Sequence, residues 1–211
     1  MKTTSIDRGI IEFDRFLRTS FGKTHHARRP SPAKQQSEAI LTAEEKILAG
    51  RLMRVNHCGE VCAQALYNGQ ALTASSSETT KSMQQASQEE TDHLVWCEQR
   101  LDELDTPVSK LNPFWYASSY LMGALTGLMG DRINLGFVAA TEAQVCKHLD
   151  DHLERLPAND EKSRAILSQM KTDEKKHESE AIRQGGTQFP SIVRKGMTQV
   201  SKIMTRSTYW I

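Results

Sequence analysis

The feature that most restricts this chain is a repeated set of ligand-type residues. Glu90-Thr91-Asp92-His93 and Glu174-Lys175-Lys176-His177 are both Glu-x-x-His. Each is preceded by a lone glutamate: Glu60 lies upstream of Glu90, and Glu142 lies upstream of Glu174 at nearly the same spacing. Residues three apart share a face of an α-helix, so each motif aims a carboxylate and an imidazole at one point. The apolar residues around them keep the same period. Leu52, Asn56, Glu60, Ala63 and Tyr67 form one stripe, and Met83, Ala86, Glu90, His93, Cys97, Leu101 and Leu104 a second. Leu135, Val138, Glu142, Val145, Leu149 and Leu156 form a third, and Ile166, Met170, Glu174, His177 and Ala181 a fourth. Four helices packed along these stripes would bring four glutamates and two histidines into one core.

Four buried carboxylates at one level repel one another and resist ionisation. Two divalent cations remove the conflict, because four negative charges meet four positive ones. One Glu from each of two helices and one Glu-x-x-His from each of the other two is the di-iron arrangement of ferritin-like bundles. The expected fold is therefore all-α, a ferritin-like four-helix bundle. The expected metal ligands are Glu60, Glu90, His93, Glu142, Glu174 and His177, holding two Fe ions per chain. Oxygen-rich sites of this kind suit iron or manganese, whereas structural zinc prefers four N/S ligands. Asp173 and Glu89 adjoin the motif glutamates, and each is placed to accept the ring N–H of the histidine on the opposite motif. His57, one turn before Glu60, and His148 and His152, beyond Glu142, are either polar helix residues or accessories; His148 is the candidate for lining a channel or moving a proton. The plain alternative puts the glutamates on solvated helix faces.

Helix signals give the boundaries. Thr42 and Glu45 form a capping box for a helix reaching about Ala74. The run SSSETT breaks it, and Thr79 or Thr80 caps the next, which ends before Thr106-Pro107. A third helix spans about Asp131 to Leu156, and a fourth runs from a cap at Asn159 or Asp160 to Gly185-Gly186. Residues 1–40 read as an amphipathic helix near 5–20 followed by a basic, proline-containing linker that carries His25 and His26 in solvent. Residues 41–211 form the bundle domain. Within it, residues 111–130 carry no charged side chain, and Pro113 should shorten any helix there. A helix or helical hairpin on the bundle or in a membrane interface is the expectation, rather than a span. Residues 189–204 read as a basic amphipathic helix, with Tyr209 and Trp210 beyond it as interfacial aromatics.

With a formal net charge of +1, no whole-chain field argues for nucleic acid. The four cysteines make no C-x-x-C pair and read as small buried thiols of a reducing compartment. The N-terminus reads as neither a signal peptide nor a transit peptide. No G-x-G-x-x-G motif marks a bound nicotinamide.

On the stretches LMRVNHCGEVCAQALYNGQALTA, EETDHLVWCEQRL, the charge-free segment continuing to KHL, and SRAILSQMKTDEKKHESEAIRQGG, the chain resembles the demethoxyubiquinone hydroxylases of ubiquinone biosynthesis, in particular their bacterial members. The resemblance covers most of residues 50–204, includes all six expected ligands and barely touches the segment before Leu41. It implies hydroxylation of a polyprenylated demethoxy-benzoquinol with dioxygen as co-substrate, NADH as a transient reductant, and peripheral attachment to the cytoplasmic side of the cell membrane. It leaves open partner proteins of ubiquinone biosynthesis and a homo-oligomer. The rival reading of the same ligands is a ferritin-like ferroxidase or iron-handling protein, which would not need the charge-free segment.

Overall fold

The structure is a computed structural model, and it describes residues 4–21, 26–38 and 40–211. His25 lies outside the described residues. Among them are seven α-helices and no strand: α1 (Ser5–Phe21), α2 (Ala43–Thr73), α3 (Ser77–Glu103), α4 (Asn112–Leu128), α5 (Asp131–Arg155), α6 (Glu161–Arg183) and α7 (Ser191–Trp210). A short 3-10 turn, Pro32–Gln35, lies between α1 and α2. The all-α expectation holds. Helices α2, α3, α5 and α6 form the bundle, pairing as α2 with α3 and α5 with α6.

The helix ends follow local chemistry. Thr42 accepts the Glu45 N–H and Glu45 bonds back to the Thr42 N–H, a complete capping box. Asp160 caps α6 through the Ser163 N–H. Gly185, at φ +95°, takes the left-handed conformation just past the end of α6. One cap differs from expectation. Ser76, not Thr79 or Thr80, starts α3, because its Oγ accepts the Thr79 N–H at 3.0 Å. The turn before it is pinned by Asp131, whose carboxylate accepts the Ser75 and Ser76 N–H groups. That ties the first helix pair to the start of the second.

The charge-free segment is one helix, not a hairpin. Pro113 sits in its first turn, where a missing N–H costs nothing, so it starts α4 rather than shortening it. Helix α4 lies against α2 almost backbone to backbone. A Cβ at Gly69 would sit 2.2 Å from the Tyr120 carbonyl oxygen, and one at Gly123 would sit 2.2 Å from that of Leu66. Only glycine at both positions permits that approach. Its outer face leaves Phe114, Leu121, Leu125, Leu128 and Met129 exposed. Among the described residues no helix is long and apolar enough to cross a membrane. Helix α7 runs to Trp210, beyond the expected end at 204. Its last turn docks on α2, with Arg51 stacked 4.3 Å over Trp210.

Two apolar clusters fill the bundle. One gathers Leu52, Met53, Trp96, Leu101, Leu149, Ile166 and Met170; the other gathers Tyr67, Met83, Leu135, Val138 and Ala181. Along each bundle helix the acidic and histidine residues fall between these clusters, in the level where the apolar stripe is interrupted.

Candidate metal centre

The interruption is a buried knot of carboxylates and imidazoles. Glu60, Glu90, Glu142, Glu174 and His93 are each at most 4 % exposed, and His177 is 8 % exposed. Ligand-type atoms of Glu60, Glu90, His93 and Glu174 all lie within 4.8 Å of one another. His93 Nδ1 faces three carboxylates: Glu174 Oε1 at 3.0 Å, Glu90 Oε2 at 3.1 Å and Glu60 Oε2 at 3.5 Å. His177 Nδ1 faces Glu174 Oε2 at 2.9 Å and Glu90 Oε1 at 3.3 Å. Glu90 and Glu174 thus each present one oxygen to each histidine. Glu60 stands on the His93 side. Glu142 joins from α5 and accepts a bond from the Tyr67 hydroxyl at 2.6 Å.

Protein groups alone do not satisfy this knot. One Nδ1–H can serve one of three nearby oxygens, and Glu60 Oε2 and Glu90 Oε1 are buried with no hydrogen-bond partner. Burial, with Glu90 and Glu174 nearby, holds the Glu60 carboxyl well above the usual range; burial and the charges of Glu174 and Glu90 do the same to Glu142. At Glu90 burial is outweighed by bonds from His177 and His93, and its carboxyl is lowered. Burial opposes a charge on His177, but Glu174 and Glu90 override it and push the imidazole up to about 12. His93 is raised well above the usual range in the same way, by Asp173, Glu174, Glu60 and Glu90. In the protein by itself, protons sit where cations would suit the donors better. Convergent carboxylate oxygens and two inward Nδ1 atoms fit one or more metal ions.

The outward ring nitrogens bear out the placing of Asp173 and Glu89. His93 Nε2–H donates to Asp173 Oδ2 at 2.9 Å, and His177 Nε2–H donates to Glu89 Oε2 at 2.8 Å. Each bond crosses from one motif to the other. Asp173 is held down at about 2, where bonds from His93 and Arg29 outweigh its burial.

Arg29 was not legible as a site residue. The segment read as a linker lies on the bundle here. Arg29 Nε donates to Asp92 Oδ2 at 2.7 Å and its Nη1 to Asp173 Oδ2 at 2.8 Å. Tyr67 was visible in its stripe, but its bond to Glu142 was not.

The other histidines lie elsewhere. His148 packs its ring 3.9 Å from that of His152, and His152 Nδ1 bonds to Asn56 Oδ1 at 2.9 Å. Burial holds His148 down to about 4 and His152 to about 2, so both are neutral. His148 does not join the carboxylate knot. His57 turns toward Asn112 of α4, and His26 is exposed. Beside the knot, a cavity of about 350 Å³ is lined by Tyr67, Met83, Glu89, Val138 and His177.

The fold and site define a class, the helical bundles with a buried carboxylate–imidazole cluster suited to a metal ion. The chain belongs to the ubiquinone biosynthesis protein COQ7 family, whose model matches residues 48–208. It is 52% identical over 210 residues to a 3-demethoxyubiquinol 3-hydroxylase of Nitrosococcus oceani, covering 100% of this chain and 98% of that one. Proteins of the same description from Ectopseudomonas mendocina and Stutzerimonas stutzeri are 54% and 55% identical, over 98% and 97% of this chain and 96% and 95% of theirs.

Proposed function

We propose that this chain is a di-iron monooxygenase that hydroxylates a polyprenylated demethoxy-benzoquinol with dioxygen, as the names of its relatives suggest. The observation that carries the reading is the pairing within the knot: two glutamates that each face both histidines, flanked by one glutamate on either side. Glu60, Glu90, His93, Glu142, Glu174 and His177 would hold the ions, with Glu90 and Glu174, which face both histidines, at the centre of the set. Bound iron supplies the reduction chemistry for dioxygen that side chains lack.

The chain's own residues supply the setting. Asp173 and Glu89 hold the Nε2 protons of the two histidines outward, which leaves each Nδ1 lone pair directed inward. Tyr67 keeps its proton, because burial and the charges of Glu142 and Glu90 raise its hydroxyl well above the usual range, and its O–H donates a hydrogen bond to Glu142. The apolar clusters above and below keep bulk water from the knot. The cavity beside Tyr67 and His177 leaves room for a reacting ring next to the less enclosed ion position.

A quinol with a polyprenyl tail resides in a bilayer. The apolar residues left exposed on α1 (Ile6, Ile10, Phe13, Leu17), α4 (Leu121, Leu125, Leu128) and α7 (Ile192, Val200, Ile203) support attachment to a membrane surface.

The test is elemental analysis followed by single turnover. The purified chain is reduced and given a short-chain demethoxyquinol and labelled dioxygen. About two irons per chain, as the six-ligand set requires, and a product carrying one labelled oxygen atom establish the reading. Iron that oxidises while the quinol stays unchanged favours the ferroxidase alternative. A chain that takes up no metal removes both.

A further inference from the structure

We propose that Arg29 is a positioning residue that fixes the His93 half of the centre and makes it the tighter of two metal positions; this rests on the two-metal reading above. The sequence places Arg29 outside the bundle helices, yet its side chain, 37% exposed, is tied to two bundle helices by two carboxylates and an aromatic ring. Its guanidinium joins Asp92 of α3 to Asp173 of α6, through Nε at 2.7 Å and Nη1 at 2.8 Å. It lies 4.9 Å over the Trp96 ring, and the Trp96 indole N–H donates to the Arg29 carbonyl at 3.3 Å. The neighbouring Arg28 N–H donates to the second oxygen of Asp92 at 2.6 Å. A planar fork suits this span, and a lysine ammonium does not reproduce it.

The consequence falls on His93. Asp173 is the acceptor for His93 Nε2–H, and Arg29 shares the same oxygen, while Gln169 holds the other at 3.0 Å. Three donors thus fix the carboxylate that aims the ring. The matching carboxylate on the other side has less support. Glu89 takes bonds from His177 and from Gln85, an exposed residue of its own helix, at 3.2 Å. Its longer side chain is 25% exposed and keeps more rotamer freedom. A ligand held in its binding geometry costs less to order when the ion arrives. The two halves therefore differ in affinity, although their ligands are of the same kind.

Cobalt(II), with its visible ligand-field bands, is titrated into the metal-free full chain. The parent chain takes up two ions in two resolved steps. Arg29→Gln weakens the tighter step by about 10–100-fold, the usual cost of losing support behind a metal-bound histidine, and leaves the weaker step in place. Arg29→Lys recovers part of the loss, and Glu89→Gln weakens the other step. Should Arg29→Gln unfold earlier without metal, Asp173→Asn, which keeps Arg29 on Asp92, must weaken the same tighter step. An unchanged tighter step in Arg29→Gln, or equal weakening of both steps, overturns the role given to Arg29. Uptake of fewer than two ions by the parent chain overturns the two-metal reading itself, and this inference with it.

Discussion

His93 itself is enclosed, whereas His177 borders a cavity. His93 has no exposed surface, sits against Trp96 and is backed by Asp173 and the arginine strap from before α2. His177 borders a cavity, and its supporting Glu89 faces solvent with one glutamine as its second donor. The motifs are alike in sequence and unlike in surroundings. A ligand set determines which ions can bind, whereas the packing around it determines which half is rigid and which has room for a substrate. One half holds its geometry; the other leaves space.

The largest effects separate central from flanking carboxylates. Glu90→Gln and Glu174→Gln each replace one of the two oxygens that face the two histidines with an amide nitrogen and remove the negative charge, so metal content should fall from about two ions to near zero. Losing the several kcal/mol that a metal centre supplies lowers turnover by about 10³-fold or more. Glu60→Gln and Glu142→Gln should each retain about one ion. Elemental analysis of all four variants checks this, and equal losses in all four would remove the distinction.

Next in size, Asp173→Asn should cost the first-bound ion about 10–100-fold in affinity, and Glu89→Gln should cost the second ion less, near the lower end of that range. Competition with a chromogenic chelator measures both, and a larger loss in Glu89→Gln would reverse the comparison. A smaller effect is expected from narrowing the open side. Ala86 is half-buried and lines the cavity. Ala86→Leu should keep both ions and lower kcat/KM for the quinol by about tenfold, the scale of a misfit of one or two methylene groups in a pocket. Unchanged kinetics would separate the cavity from the substrate.

The mildest effect belongs to neither half and serves as a control. His148 and His152 are buried as neutral rings, at about 4 and about 2. An unfolded histidine titrates near 6.5, so below that value the unfolded chain binds protons that the folded one refuses. The contribution of these two rings to stability is therefore full above about pH 6.5 and declines as pH falls toward 4 and below. Urea unfolding between pH 7 and 4 should show that slope, and His152→Gln should flatten it. A slope unchanged in that variant would remove His152 as its source.

Much of this was readable from sequence because it is local. The capping box at Thr42, the end of α6 at Gly185 and the period-matched stripes depend on residues within a few turns of each other. So does the convergence of Glu90 with His93 and of Glu174 with His177. Even the exchange of Asp173 and Glu89 between motifs followed from adjacency and the bundle's symmetry. Helix α4 was harder, since a charge-free run with a proline looks the same whether it opens one helix or breaks a hairpin. Gly69 and Gly123, on different helices and far apart along the chain, settled it by letting two backbones meet.

By itself the sequence determined the all-helical bundle and the convergence of carboxylates and imidazoles on its core, because helix periodicity converts spacing directly into faces. Tertiary structure alone decided which carboxylates face both histidines, that Tyr67 holds Glu142, and that Arg29 reaches across α3 and α6 to the back of His93. These depend on distances between segments well separated along the chain, which no local pattern encodes. The physical reason is that a charge in a loop has the same local signature in water as over a buried carboxylate. Only the packed neighbours tell the two apart.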